Sequence, residues 1–284
     1  MSDTVLVLGA TGLAGKELVK LLAGKNVQVK AATRTPEKFQ SPAPNVAPVR
    51  LVQEEASTFA PALAGVNKVF LSALPLDAAA AAKLFPFVDE AKKAGVKKIV
   101  FLSALGVENH DSAPLRQVEL YVQKSGIPNG ILRANFFMEN FTEGPFSGTV
   151  KASNQIILAA DNAAYNMVST ADIAAVAAEL LLNDTLPDQE LTLTGPGAID
   201  HYQVADIITT HSGRNITYLP ISEADLLSGM KAQGAPDSVA QYLAVLMASV
   251  RSGANAVVTT AVKDITGKEP VSFEEFSKLN AGKF

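Results

Sequence analysis

The chain has 284 residues, long enough to bury a catalytic core without disulfide or metal support. Hydrophobic residues make up 48% and charged residues 18%, which excludes a disordered chain. A formal charge of −4, with basic runs no longer than a pair such as Lys97-Lys98, gives nucleic-acid binding no electrostatic support.

With no cysteine there can be no disulfide framework, zinc-thiolate site or thiol nucleophile, and a cytoplasmic location is the expectation. The apolar stretch Val5 to Leu8 lacks the basic flank and length of a signal peptide. No stretch is apolar for long enough to span a membrane; the alanine tract Ala78 to Ala82 is broken by Lys83 and reads as a buried helix. In chain order the pattern predicts strand 4–8, helix 13–23, strands 27–32 and 46–52, helix 59–64 and strand 68–71. It continues with helix 77–94, closed by Gly95, then strand 98–102, helix 115–124 and strand 130–133. Strands that are apolar without alternation, such as 69–71 and 99–102, belong in a parallel sheet covered on both faces. This βαβ rhythm predicts an α/β, doubly wound parallel-sheet Rossmann fold.

The second half keeps one helix of the same kind, 171–182, and a strand, 190–193. Beyond Gly195, prolines and glycines punctuate shorter elements: helix 202–210, strand 216–219, and helices near 223–231, 238–250 and 273–279. With a loop-rich stretch near 144–166 they predict a smaller α+β lobe over the strand C-termini. The expected division is a dinucleotide-binding domain, 1–150 with 167–194 returning to it, and a substrate-binding lobe, 151–166 and 195–284.

Gly9-Ala10-Thr11-Gly12-Leu13-Ala14-Gly15 lies directly between the first strand and the first helix. In that context Gly9 permits a tight turn, Gly12 lets the backbone approach a pyrophosphate, and Gly15 lets the helix pack against the strand. An acidic residue about 20 positions later would mark NAD. The second strand instead runs into Arg34. It is either a guanidinium for the 2′-phosphate of NADPH or a solvated loop cation.

The run GATGLAG, the segment Arg34-Thr35-Pro36-Glu37-Lys38, the helix end Ala91 to Val96, Val100-Phe101-Leu102-Ser103 and the stretch Ile131 to Asn140 together resemble the NmrA-like atypical short-chain dehydrogenases. Within them the chain is most similar to the bacterial type-2, flavin-independent NAD(P)H:quinone oxidoreductases. The resemblance implies NADPH as cofactor, held by Gly9, Thr11, Gly12, Leu13, Gly15, Arg34, Lys38, Ser72, Ala73, Leu74, Ser103 and Ala104. Leu105, Gly106, Asn135, Phe136 and Phe137 are the candidates for the substrate pocket, although an aromatic pair after a strand also suits plain core. Ser103 matches the superfamily's site serine by position, and would orient nicotinamide or substrate, or else bond to backbone.

The wider superfamily's Tyr-x-x-x-Lys pair is missing: Ser112 stands at the tyrosine position and Arg116 at the lysine position. Tyr121 and Lys124 lie outside that register and read as core tyrosine and surface lysine. No residue is therefore assigned as catalytic. Without a positioned proton relay, alcohol and ketone chemistry is disfavoured, whereas a quinone or similar electron-poor aromatic acceptor needs mainly orientation. His110, His201 and His211 have no spacing suited to a metal, and Asp172 reads as a helix-start residue. The expected function is hydride transfer from NADPH to such a small-molecule acceptor. The alternative is an NADP(H)-binding redox sensor without turnover, the role of the family's namesake regulator. The sequence leaves a homodimer open.

Overall fold

The computed structural model describes residues 2–284. Its first half forms, in order, β1 (Thr4–Val7), α1 (Leu13–Ala23), β2 (Gln28–Thr33), β3 (Val46–Arg50), α2 (Phe59–Leu63), β4 (Lys68–Ser72), α3 (Ala80–Lys93), β5 (Lys98–Ala104), α4 (Pro114–Lys124) and β6 (Asn129–Ala134). Next come β7 (Phe136–Phe137), α5 (Ser147–Ser153), β8 (Gln155–Leu158), β9 (Tyr165–Val168), α6 (Thr170–Leu182) and β10 (Gln189–Leu193). The chain ends with β11 (Ala198–Ile199), α7 (His201–Ser212), β12 (Thr217–Pro220), α8 (Glu223–Ala232), α9 (Asp237–Arg251), α10 (Ala261–Thr266) and α11 (Phe273–Leu279).

Two compact units emerge. The first comprises Met1–Ala134, Thr170–Leu193 and Asp264–Gly267, and the second Asn135–Ser169, Thr194–Lys263 and Lys268–Phe284. Residues 135–150, placed with the dinucleotide-binding half on sequence grounds, fall in the second unit, because β7 finds its partner in β9.

The first unit is a seven-stranded, all-parallel sheet in the order β10-β6-β5-β4-β1-β2-β3. The chain winds outward from β1 to β3, then restarts at β4 on the other side of β1, so the doubly wound Rossmann fold read from the sequence is present. Leu6, Leu8, Val69, Leu71, Ile99 and Phe101 pack into one face with Leu84, Phe87 and Val88 of α3 and Val118 and Val122 of α4. Helices α1 and α6 pack on each other and line the opposite face. Burial on both sides explains why these strands lack polar alternation.

The helix predicted from Asp77 starts three residues later. Asp77 accepts the N–H of Ala79 through its side chain, 2.9 Å, and that of Ala80 through its carbonyl, 3.1 Å, closing a turn in place of a first helical turn.

The second unit holds a three-stranded sheet, β11-β9-β7, and a parallel pair, β12-β8. Stretch 144–166, expected to be loop, contains α5, β8 and the start of β9. An aromatic stack marks its core: the His201 ring lies between Tyr165, at 4.5 Å and 17°, and Tyr218, at 5.0 Å and 27°.

Candidate functional site

A doubly wound sheet leaves a crevice where the winding reverses, at the C-terminal ends of its central strands. Here that point lies between β1 and β4. The turn after β1 is built for close approach: Gly9 has φ +64°, and a Cβ on it would sit 2.7 Å from Ser72 Oγ at the end of β4. Gly12 donates to the Gly9 carbonyl at 2.8 Å and begins α1 in extended geometry, φ −83° and ψ 173°. A Cβ on Gly15 would lie 2.1 Å from the Gly9 oxygen, so only glycine lets α1 pack onto the turn.

The start of α1 carries no side-chain cap and no acidic residue in its first turn, while Thr11 and Gly12 are exposed and Leu13 is half-buried. Uncapped N–H groups and the positive end of the helix dipole at an open surface form an anion cradle. These residues fit the diphosphate of a dinucleotide.

Beside the cradle, Arg34 follows β2 and Lys38 ends a short 3₁₀ turn, Pro36–Lys38; both are exposed. Across from them Arg50, aligned with Thr33, is held in a two-pronged pair with Glu55, at 2.9 and 3.2 Å. Ala73 and Leu74, after β4, are half-buried. Gln53, which sequence reasoning missed, reaches the same crevice: its Nε2 donates to the Ser72 carbonyl at 2.9 Å, while its buried Oε1 has no partner.

At the end of β5, Ser103 is buried and its Oγ donates to Glu119 Oε1 at 2.6 Å. Glu119, on α4 and 0% exposed, also receives Arg133 Nε at 3.0 Å, Arg133 Nη2 at 2.8 Å and Arg116 Nη1 at 2.8 Å. Burial works against the Arg133 guanidinium, but its bonds to Glu119 and Glu190 outweigh it and hold the group firmly charged. The network was not read from the sequence. Its traces were an arginine inside the apolar strand Gly130-Ile131-Leu132-Arg133 and a glutamate beside Val118 on a buried helix face.

Ala104 is half-buried beyond Ser103. Leu105 donates to the Ala134 carbonyl at 3.0 Å, and the N–H of Gly106, φ +92°, is capped by Glu108 at 2.8 Å.

Neither the tyrosine position nor its neighbours supply a phenolic acid here. Ser112 is exposed and Arg116 is committed to Glu119. Tyr121 stacks on Phe85 at 4.0 Å and bonds Asp89 at 2.8 Å, a contact that raises its pKa.

The remaining candidates lie in the second unit. Asn135 donates to the Asn255 carbonyl at 2.9 Å and accepts from Phe136 N at 3.0 Å, engaging both ends of its amide. Phe136 and Phe137 are half-buried, and Phe136 meets Tyr165 edge-on at 5.4 Å. A separate apolar pocket of about 270 Å³ in this unit is lined by Met138, which follows the Phe136-Phe137 pair as a candidate pocket wall in the sequence, and by Met167, Ile199, Ile207 and Phe273, which were not anticipated. His110 is exposed, His201 is buried and His211 pairs with Glu274 at 2.6 Å. Asp172 lies in the first turn of α6. Among the described residues no cluster could hold a metal ion, and no helix is long and apolar enough to cross a membrane.

The model of the NmrA-like family matches residues 1–276. The chain belongs to the NmrA-like family. Relatives of this NmrA-like chain include prestalk A differentiation protein A of Dictyostelium discoideum, 31% identical over 97% of the chain and 91% of that protein. An NAD(P)H azoreductase of Xenophilus azovorans is 28% identical over 99% of both chains. Among solved structures, an NADPH-dependent quinone oxidoreductase of Escherichia coli complexed with NADPH superposes with a TM-score of 0.83. The two share 25% identity over 97% of this chain and 99% of that one. This chain's relatives thus include NAD(P)H-dependent oxidoreductases.

Proposed function

We propose that this NmrA-like chain is an NADPH-dependent, flavin-independent oxidoreductase acting on a quinone or similar electron-poor aromatic acceptor. The observation that carries the cofactor is the α1 cradle: an uncapped helix start behind three glycines, two of which have no room for a Cβ. The chemistry named for the azoreductase and quinone oxidoreductase relatives supports the class of reaction.

Gly9, Thr11, Gly12, Leu13 and Gly15 hold the diphosphate. Arg34 and Lys38 meet the 2′-phosphate with exposed cations, and Ser72, Ala73, Leu74 and Gln53 line the crevice beside it. Bound NADPH supplies the hydride. Ser103 and Ala104 position the nicotinamide end, and Leu105 and Gly106, which follow them, are assigned to the acceptor.

No residue assigned to the nicotinamide end or the acceptor carries a phenol or an ammonium, and the Ser103 proton is committed to Glu119. A ketone or alcohol would lose the roughly 10²–10⁴-fold that a positioned acid contributes. A quinone tolerates that loss, because the anion left by reduction is delocalised and takes its proton from water.

Oxidation of NADPH by the purified chain, followed with simple benzoquinones against the uncatalysed background, tests the reading. Saturable acceleration supports it. Tight NADP(H) binding with no acceleration for quinones, azo dyes or other electron-poor aromatics would replace it with a non-turnover sensor.

A further inference from the structure

A serine hydroxyl has one proton to donate and two lone pairs with which to accept. At Ser103 the proton is spoken for: it goes to Glu119 Oε1 at 2.6 Å. That carboxylate cannot return it, since three guanidinium N–H groups from Arg133 and Arg116 already converge on its two oxygens. The orientation is fixed on several sides. Ser103 and Arg133 are register partners on β5 and β6, Arg116 lies one turn before Glu119 on α4, and Arg133 is tied to Glu190 on β10, which also accepts from Gln123 at 2.7 Å. What Ser103 can present at the end of β5 is therefore an acceptor.

We propose that Glu119 is a positioning residue that makes Ser103 an obligate hydrogen-bond acceptor for the carboxamide NH₂ of the nicotinamide. This rests on the reading of the chain as an NADPH-binding oxidoreductase. At the reactive end of that cofactor the donors are the carboxamide NH₂ and the ribose hydroxyls, and the carboxamide is the one carried by the nicotinamide ring itself, so an analogue lacking only that NH₂ separates the two. A substrate carbonyl, which has no proton to offer, is not recognised by Ser103.

The experiment compares binding of NADP⁺ with that of its 3-acetylpyridine analogue, in which a methyl group replaces the carboxamide NH₂. Calorimetry suits a chain that contains no tryptophan. The wild-type chain should bind NADP⁺ about tenfold more tightly than the analogue, the size of one net hydrogen bond. In Ser103→Ala the ratio should fall to near one, chiefly through weaker NADP⁺ binding, and Ser103→Thr, which keeps the hydroxyl, should restore it. Glu119→Gln should also lower the ratio, because the new amide can donate to Ser103 Oγ and turn the hydroxyl proton outward. Should Glu119→Gln fail to fold, the two Ser103 variants decide the matter.

A ratio near one in the wild type, or one unchanged in Ser103→Ala, overturns the proposal while leaving NADPH binding intact. A wild-type chain that binds neither nucleotide overturns the cofactor reading itself.

Discussion

Single atoms set the limits at the glycine turn. An added Cβ at Gly15 would lie 2.1 Å from a backbone oxygen that cannot move without unwinding the turn. Gly15→Ala is expected to cost more than ~2 kcal/mol of stability, in the range of core overpacking, and to abolish measurable dinucleotide binding. Chemical denaturation and calorimetry check both. At Arg34 the effect belongs to the ligand. Arg34→Ala should weaken NADPH by roughly 10–100-fold, as expected for loss of a charge-assisted bond to phosphate, and leave NADH little changed. An equal loss for both nucleotides removes Arg34 from the 2′-phosphate site. The geometry of the glycine turn was legible in the sequence because it depends on neighbours a few residues away. Gln53 was not, since its meaning comes from Ser72, a strand on the other side of β1.

Elements carry the next layer of information, and here legibility followed the source of stability. Helix α1 and helix α11 have the predicted bounds, 13–23 and 273–279, because α1 follows directly on the glycine turn and α11 starts at Ser272, whose side chain accepts the N–H of Glu275. Strands β8 and β9 escaped notice, being four residues each and paired with β12 and with β7 and β11; nothing local announces such strands. The Glu119 network is hidden in the same way, since only the β5–β6 register brings Ser103 beside Arg133.

At the head of α7, His201 illustrates a burial that the sequence could not reveal. Sandwiched between Tyr165 and Tyr218 with both ring nitrogens unpartnered, it has its pKa lowered by burial to about 4 against 6.5 in the open chain, with Asp200 opposing the shift. As pH falls below 6.5 the unfolded chain takes up this proton while the native chain does not until about pH 4. Stability from neutral His201 is thus full above pH 6.5 and declines between there and pH 4, by about 3 kcal/mol in all. His201→Phe should keep the stack, be neutral or stabilising at pH 7, and flatten this acid limb. A denaturation series across that pH range checks it, and a limb of unchanged slope would show that other groups govern it.

For the molecule as a whole, a ligand that binds only the folded first unit must stabilise it. NADPH at about 100 times its dissociation constant adds about 2.7 kcal/mol and should raise the unfolding midpoint by roughly 5–10 °C. NADH at the same concentration should raise it less. Calorimetric scans with each nucleotide measure the difference, and equal shifts would contradict NADPH selectivity.

The order in which this sheet is supplied has its own consequence during synthesis. The first unit is assembled from three separated stretches, and β10, the neighbour of β6, belongs to the second of them. A ribosome that has released Ala134 must add the 59 residues up to Leu193 before β6 is covered, roughly 3–12 s at ordinary elongation rates. Throughout that interval β6 is an open edge and Arg133 lacks Glu190, so the nascent chain exposes a strand ready to pair with another copy. Slow elongation through 135–193, or truncation before β10, should therefore send the product toward aggregates and chaperones, even though every glycine of the cofactor turn has already been made.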